Sequence, residues 1–106
     1  MSRVEELVHQ FETRTVRLVD FRHAEHLEVA LWYLLRLPEA QATEKIRSGL
    51  RSLLEAHGVT HGYNEEQTLY WIGRIQAFLR TADLSLPIDQ LAHALITACP
   101  RSSMLS

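Results

Sequence analysis

Residues 20–37, DFRHAEHLEVALWYLLRL, decide the fold that this sequence predicts. Asp20 is a good N-cap, because its carboxylate can accept a hydrogen bond from a free N–H group of the first helical turn. Beyond it, apolar residues recur three and four positions apart, which is the period of an amphipathic helix. We therefore predict one helix over this stretch. Its buried stripe is predicted to be Leu27, Ala30, Leu31 and Leu34.

Two neighbouring helices follow from the same spacing rule. A first helix is predicted from about residue 2 to residue 16. Pro38 suits the first position of a third helix, because a missing N–H group costs nothing there. Gly58 is expected to end that helix. The apolar residues of the first helix are Val4, Leu7, Val8 and Phe11.

Two more helices complete the predicted fold. Asn64, with Gln67 three residues later, resembles a capping box and opens a fourth helix. Pro87 opens a shorter fifth helix that ends near Cys99. The predicted inner face of the fourth helix is Leu69, Ile72, Ile75 and Leu79, with Trp71 and Phe78 at its flanks.

The fold class predicted from these elements is all-α. We expect an up-down four-helix bundle-like domain with a short fifth C-terminal helix, because no segment shows sustained strand alternation. A chain of 106 residues is expected to form one helical domain, residues 1–106, with a frayed tail at about 101–106.

Composition disfavours several functional classes. A net charge of -2 provides no field to attract nucleic acid or an anionic membrane. The longest apolar run, residues 29–35, is far shorter than the ~20 residues that a membrane span needs. Cys99 is alone, so no internal disulfide is expected. The polar N-terminal sequence shows no signal-peptide pattern, and a cytoplasmic location is expected.

Polar residues that could carry chemistry are predicted to meet at one end of the bundle. His23 and His26 lie three residues apart at the start of the second helix, and their helix rows run into its apolar stripe. Glu65, at the start of the fourth helix, is predicted to face inward at the same end. Two imidazoles and a carboxylate can hold a divalent metal such as iron, zinc or manganese. His23, His26 and Glu65 are therefore candidate metal ligands.

Other interpretations of this cluster stay open. Without a metal, Glu65 and His26 could transfer protons with Tyr63 as donor, which makes these three the candidate catalytic residues. The cluster could also be a structural polar network within a non-catalytic interaction module that forms a homodimer. The candidate ligand-binding residues are Tyr63, Thr68, His61 and Trp32.

Two segments resemble a known family. Residues 21–34, FRHAEHLEVALWYL, and residues 63–68, YNEEQT, resemble a family of small uncharacterised bacterial helical proteins. That family pairs Phe-x-His-x-x-His-Leu-x-x-Ala with a later Tyr-His-Glu-Thr-x-Thr. Here Asn64 replaces the family's His, and Glu66 replaces its Thr. The site residues that the resemblance implies are His23, His26, Tyr63, Glu65 and Thr68.

Together these patterns predict a small helical protein that binds a divalent metal or a small molecule in a His/Glu pocket at one bundle end. Whether it is an accessory enzyme of bacterial metabolism is left open. The sequence names no substrate.

Overall fold

The computed structural model describes residues 2–99, and the predicted frayed tail at 101–106 lies outside them. No strand occurs within the described range, so the all-α prediction is confirmed. A short 3-10 helix, Leu18–Asp20, lies between the first two α-helices. The five α-helices are α1 (Arg3–Glu12), α2 (His23–Arg36), α3 (Glu39–Ala56), α4 (Glu65–Thr81) and α5 (Ile88–Ala98).

Helix α2 is the central element, since it packs against each of the other four helices. Its burial is therefore wider than the single stripe that the sequence predicts. Leu27 and Leu31 are buried as expected, but Val29 and Tyr33 on the other sides are buried too. No helix within residues 2–99 combines the length and apolar character needed to span a bilayer.

The start of α2 differs from the prediction. Asp20 does not cap α2; it ends the 3-10 helix, where its Oδ2 lies 2.9 Å from Nε of Arg17. Helix α2 begins three residues later, at His23. Glu25 in its first turn accepts a hydrogen bond of 2.8 Å from the backbone N–H of Arg22. A glutamate inside the helix thus satisfies the flanking N–H group that precedes it.

Other helix ends follow local backbone chemistry. Helix α1 stops at Glu12, earlier than predicted, and Arg14 beyond it has a φ of 59°, a left-handed conformation that a right-handed helix cannot continue. Gly58 follows α3 with a φ of 73°, as its position predicts. Asn64 caps α4, because its Oδ1 accepts a hydrogen bond of 2.9 Å from the N–H of Gln67. These caps position the loop before α4.

The buried face of α4 is rotated from the predicted one. Leu69, expected inside, is 45% exposed, whereas Trp71 is buried beside Ile72 and Ile75. An indole buries more apolar surface than an isobutyl group, so the rotation that covers Trp71 is favoured even though it exposes Leu69. The same rotation turns Glu65 towards α3.

Close approach of α1 and α3 depends on Gly49. The ring of Phe11 is buried and stacks on Phe21, with ring centroids 5.4 Å apart. A Cβ atom built at Gly49 would lie 2.5 Å from Cζ of Phe11. Only a residue without a side chain leaves room for this ring.

One carboxylate, that of Glu28, is buried within the helices. Its Oε2 lies 3.3 Å from Nη1 of Arg3, and Oε1 has no hydrogen-bond partner among residues 2–99. Burial raises the pKa of Glu28, and the nearby Arg3 guanidinium opposes that rise. The contact links the start of α1 to the middle of α2.

Candidate functional site

A cavity of about 490 Å³ lies where α2, α3 and α4 meet. Its volume is in the range of about 300–1,000 Å³ that small-molecule sites occupy. The apolar part of its lining includes Phe11, Leu27, Ala30, Leu50, Leu53 and Ile75. The polar part comes from the starts of α2 and α4 and the loop before α4, and it comprises Arg22, His23, His26, Tyr63, Asn64, Gln67 and Thr68. We call this the polar end of the cavity.

Four of the predicted site residues line this cavity and three do not. Those that line the cavity are His23, His26, Tyr63 and Thr68. Those that do not are Glu65, His61 and Trp32. The cavity is therefore a His/Tyr/Thr site with apolar walls, and the predicted carboxylate lies outside its lining.

His23 is held by the end of α5. Its Nε2 lies 2.8 Å from the carbonyl oxygen of Cys99, and the ring packs edge-on against Trp71 at 4.8 Å between centroids. A carbonyl oxygen only accepts hydrogen bonds, so Nε2 carries the proton. In the neutral ring, Nδ1 is therefore a hydrogen-bond acceptor.

His26 is held in the opposite tautomer. Its Nδ1 lies 2.6 Å from the carbonyl oxygen of Arg22, so Nδ1 carries the proton and Nε2 is the acceptor. The residue is exposed, while its ring packs on Phe21 at 4.4 Å between centroids. Loss of water around the ring lowers the pKa of His26, and the neighbouring His23 lowers it further, against the effect of the Arg22 carbonyl.

The two imidazoles therefore offer acceptor nitrogens, Nδ1 of His23 and Nε2 of His26. Each ring donates a hydrogen bond to a backbone carbonyl. In functional histidines, a hydrogen bond of this kind commonly fixes which ring nitrogen carries the proton. A lowered pKa keeps His26 neutral at neutral pH. The polar end of the cavity is thus suited to a ligand group that donates a hydrogen bond.

The carboxylate of Glu65 forms ion pairs with arginines of α3. Its Oε2 lies 2.6 Å from Nη2 of Arg47, and its Oε1 lies 3.5 Å from Nη2 of Arg51. The hydroxyl of Tyr63 donates to Oε1 at 2.7 Å. This hydrogen bond and the two guanidinium groups lower the pKa of Glu65. The carboxylate is therefore an ionised link between α3 and α4.

The predicted grouping of His23, His26 and Glu65 does not form in this structure. Among residues 2–99, no three His, Cys, Asp or Glu side chains lie close enough to hold a metal ion. The sequence contained a usable signal, because Arg47 and Arg51 lie four residues apart near the same end of the fold. Arg51 pairs with Glu65 across the contact between α3 and α4.

Tyr63 and Thr68 line the cavity with their hydroxyl protons already engaged. Burial raises the pKa of Tyr63, and its hydrogen bond to Glu65 raises it further. The Thr68 hydroxyl donates to the carbonyl oxygen of Asn64 at 2.9 Å. The oxygen of Thr68 can still accept a hydrogen bond. Both side chains thus border the cavity with oxygens that can accept a hydrogen bond.

His61 and Trp32 lie away from the cavity. His61 is exposed in the loop before α4. Trp32 packs edge-on against Tyr33, and the guanidinium of Arg36 lies 4.3 Å from the centroid of its ring. Trp32 thus belongs to a different part of α2. Cavity residues that the sequence reasoning missed as ligand contacts are Arg22, Asn64, Gln67 and Trp71.

His26→Asn is expected to remove an acid-dependent loss of stability. The lowered pKa means that the unfolded chain binds a proton more tightly than the folded one. Above pH 6.5 the wild type therefore keeps its full free energy of unfolding. As the pH falls below that value, the unfolded chain takes up the proton first, and the free energy of unfolding decreases. Asparagine retains a donor near the Nδ1 position but does not titrate.

The measurement is the free energy of unfolding in urea at a series of pH values across about 6.5. The free energy of unfolding of the variant should fall less steeply than that of the wild type as the pH drops below 6.5. His9→Asn is the matched control, since His9 is exposed on α1 and should leave the pH dependence unchanged. An unaltered slope in His26→Asn would contradict the assignment.

The chain shows no match to the protein-family models, curated proteins or solved structures with which it was compared. The resemblance carried by residues 21–34 and 63–68 stays a prediction. The comparisons assign this chain to no family.

Proposed function

We propose that the protein binds a small, mostly apolar molecule that carries a hydroxyl group, and holds it in the cavity between α2, α3 and α4. The observation that carries this proposal is a cavity of about 490 Å³ with apolar walls and polar groups at one end. Protein interiors pack densely, and voids larger than a water molecule are few. An apolar cavity with convergent polar groups is typical of ligand sites.

The acceptor nitrogens of the polar end support a hydroxyl as the ligand's polar group. In the neutral form of His23 and of His26, one ring nitrogen lacks a proton, and that nitrogen can accept a hydrogen bond from a donor. The oxygen of the same hydroxyl is favoured by the partial positive charge at the starts of α2 and α4. A carboxylate would meet the lone pair of neutral His26, which disfavours it until that ring is protonated.

Binding without a metal is supported by the contacts of Glu65. To join His23 and His26 as a metal ligand, Glu65 would have to leave two arginines and the Tyr63 hydroxyl. The same contacts argue against proton abstraction by Glu65, because a carboxylate of lowered pKa is a poor general base at neutral pH. We therefore propose binding and no reaction. The proposed compartment is the cytoplasm, on the support of Cys99, a buried free thiol.

Titration with decanol and decanoate, followed by NMR of the ¹⁵N-labelled chain, tests the proposal. Decanol is expected to bind saturably above pH 6.5, with shift changes at Trp71 and at the first turns of α2 and α4. Decanoate should gain affinity relative to decanol as the pH falls below 6.5, because protonated His26 becomes a donor. In His26→Asn this gain should disappear.

His93→Asn is the matched control, because His93 is exposed on α5 and does not line the cavity. Its affinities for both probes should equal those of the wild type. Failure of both probes to saturate, or shift changes confined to residues outside the lining, would refute the proposed function.

A further inference from the structure

One face of α4 is exposed on the side opposite its buried residues. We call it the outer face of α4, and it consists of Glu66, Leu69, Tyr70, Gly73, Ala77 and Arg80, all exposed. Four large apolar side chains are exposed within residues 2–99, and two of them, Leu69 at 45% and Tyr70 at 46%, are neighbours on this face. An apolar face between charged ends is characteristic of an interaction surface.

The outer face has apolar and charged positions at equal distances on either side of Gly73. Leu69 lies four residues before it and Ala77 four residues after it. Glu66 lies seven residues before Gly73 and Arg80 seven residues after it. In an antiparallel pair of α4 helices with a two-fold axis at Gly73, each Leu69 meets the partner's Ala77 and each Glu66 meets the partner's Arg80.

Charge complementarity selects a second copy of this chain as the occupant, and selects the antiparallel orientation. Neither Glu66 nor Arg80 forms an ion pair with another residue in the range 2–99. An antiparallel pair gives each of them one opposite charge on the partner, and so forms two ion pairs in all, whereas a parallel pair would place like charges together. Such patterning fixes orientation and register in paired helices.

Gly73 allows the two helices to approach closely. A Cβ atom built there meets no atom within 4 Å, so packing within one chain does not require a glycine at this position. Glycine in the middle of a helix costs about 0.5–1 kcal/mol relative to alanine. At the axis of a helix pair, the absence of a side chain lets the backbones come together.

We propose that the outer face of α4 joins two copies of this chain into a two-fold symmetric, antiparallel dimer. Helix α4 has 17 residues and spans about 25 Å. One helix pair buries less than the ~1,200–2,000 Å² of a standard stable interface, so the dimer is concentration-dependent. The cavity lies on the other side of α4, at Trp71, Ile72 and Ile75, and stays accessible in the dimer.

Sedimentation equilibrium of charge-swapped chains tests the dimer. Glu66→Arg and Arg80→Glu each create two like-charge contacts and should raise the dimer Kd about tenfold or more. The double variant Glu66→Arg/Arg80→Glu restores both pairs and should recover the wild-type Kd. Glu55→Arg, at an exposed glutamate on α3, is the matched control and should leave the Kd unchanged.

A cysteine at the axis gives an independent test. Gly73→Cys faces the same residue of the partner, so mild oxidation should yield a disulfide-linked dimer. Gln41→Cys, exposed on α3, should not cross-link, and the native Cys99 is buried. A wild-type chain that stays monomeric up to millimolar concentration overturns the proposal. If deletion of residues 100–106 then speeds labelling of the Gly73→Cys thiol, that segment covers the face instead.

Discussion

Gly49→Ala is expected to lower the free energy of unfolding by about 1–3 kcal/mol, although alanine is the better helix former. The added Cβ would lie 2.5 Å from Cζ of Phe11. That ring is 2% exposed and packs against Phe21 and Tyr33, so any shift of the ring disrupts both aromatic contacts. Either the ring leaves its position or α1 and α3 separate, and both weaken packing around the cavity.

Gly73→Ala is the matched control, because the same substitution in the middle of α4 meets no atom within 4 Å. It should raise the free energy of unfolding by about 0.5–1 kcal/mol through helix propensity alone. Urea unfolding followed by circular dichroism, at a dilution where the chain is monomeric, measures both changes. Opposite signs are expected; a stabilised Gly49→Ala would show that Phe11 is free to move.

Ala30→Leu is expected to weaken decanol binding at least tenfold while leaving the fold nearly as stable as the wild type. Ala30 is buried on α2 and lines the cavity, so the larger side chain has empty space to occupy. Filling that space gains apolar burial, which offsets the cost of small repacking. The ligand loses the volume that the leucine takes.

Ala42→Leu makes the same change at a position that is 0% exposed and does not line the cavity. With no space to fill, overpacking there should cost about 1–3 kcal/mol. Thermal unfolding and decanol titration of both variants separate the two effects. If Ala30→Leu were destabilised as much as Ala42→Leu, or bound decanol with unchanged affinity, the cavity would not be the binding site.

Local chemistry made much of the fold predictable. Asn64 caps α4 and Gly58 ends α3 where the sequence indicated. Both effects are local, because a capping side chain and a glycine with positive φ influence only the few residues next to them. The start of α2 was placed two residues too early, since its N-cap position is Arg22 and not Asp20. Asp20 pairs with Arg17, and Glu25 inside the helix accepts the hydrogen bond from the N–H of Arg22.

The candidate site was predicted in part. His23 and His26 both line the cavity at the start of α2, although His23 is half-buried and His26 is exposed. Glu65 was placed inward from the spacing of Leu69, which the structure shows to be exposed. The buried face of α4 was thus predicted from the wrong set of residues, and the Glu65 carboxylate was therefore placed on the wrong side of the helix.

The sequence by itself determined that the chain is helical, where most helices begin and end, and that two imidazoles share a helix face, because these properties depend on residues within one or two turns. Tertiary structure alone decided how far α4 rotates and which group receives the Glu65 carboxylate. Burial of Trp71 and pairing of Glu65 with two guanidinium groups of α3 join residues that are far apart in the sequence, so the spacing of residues within α4 does not reveal them.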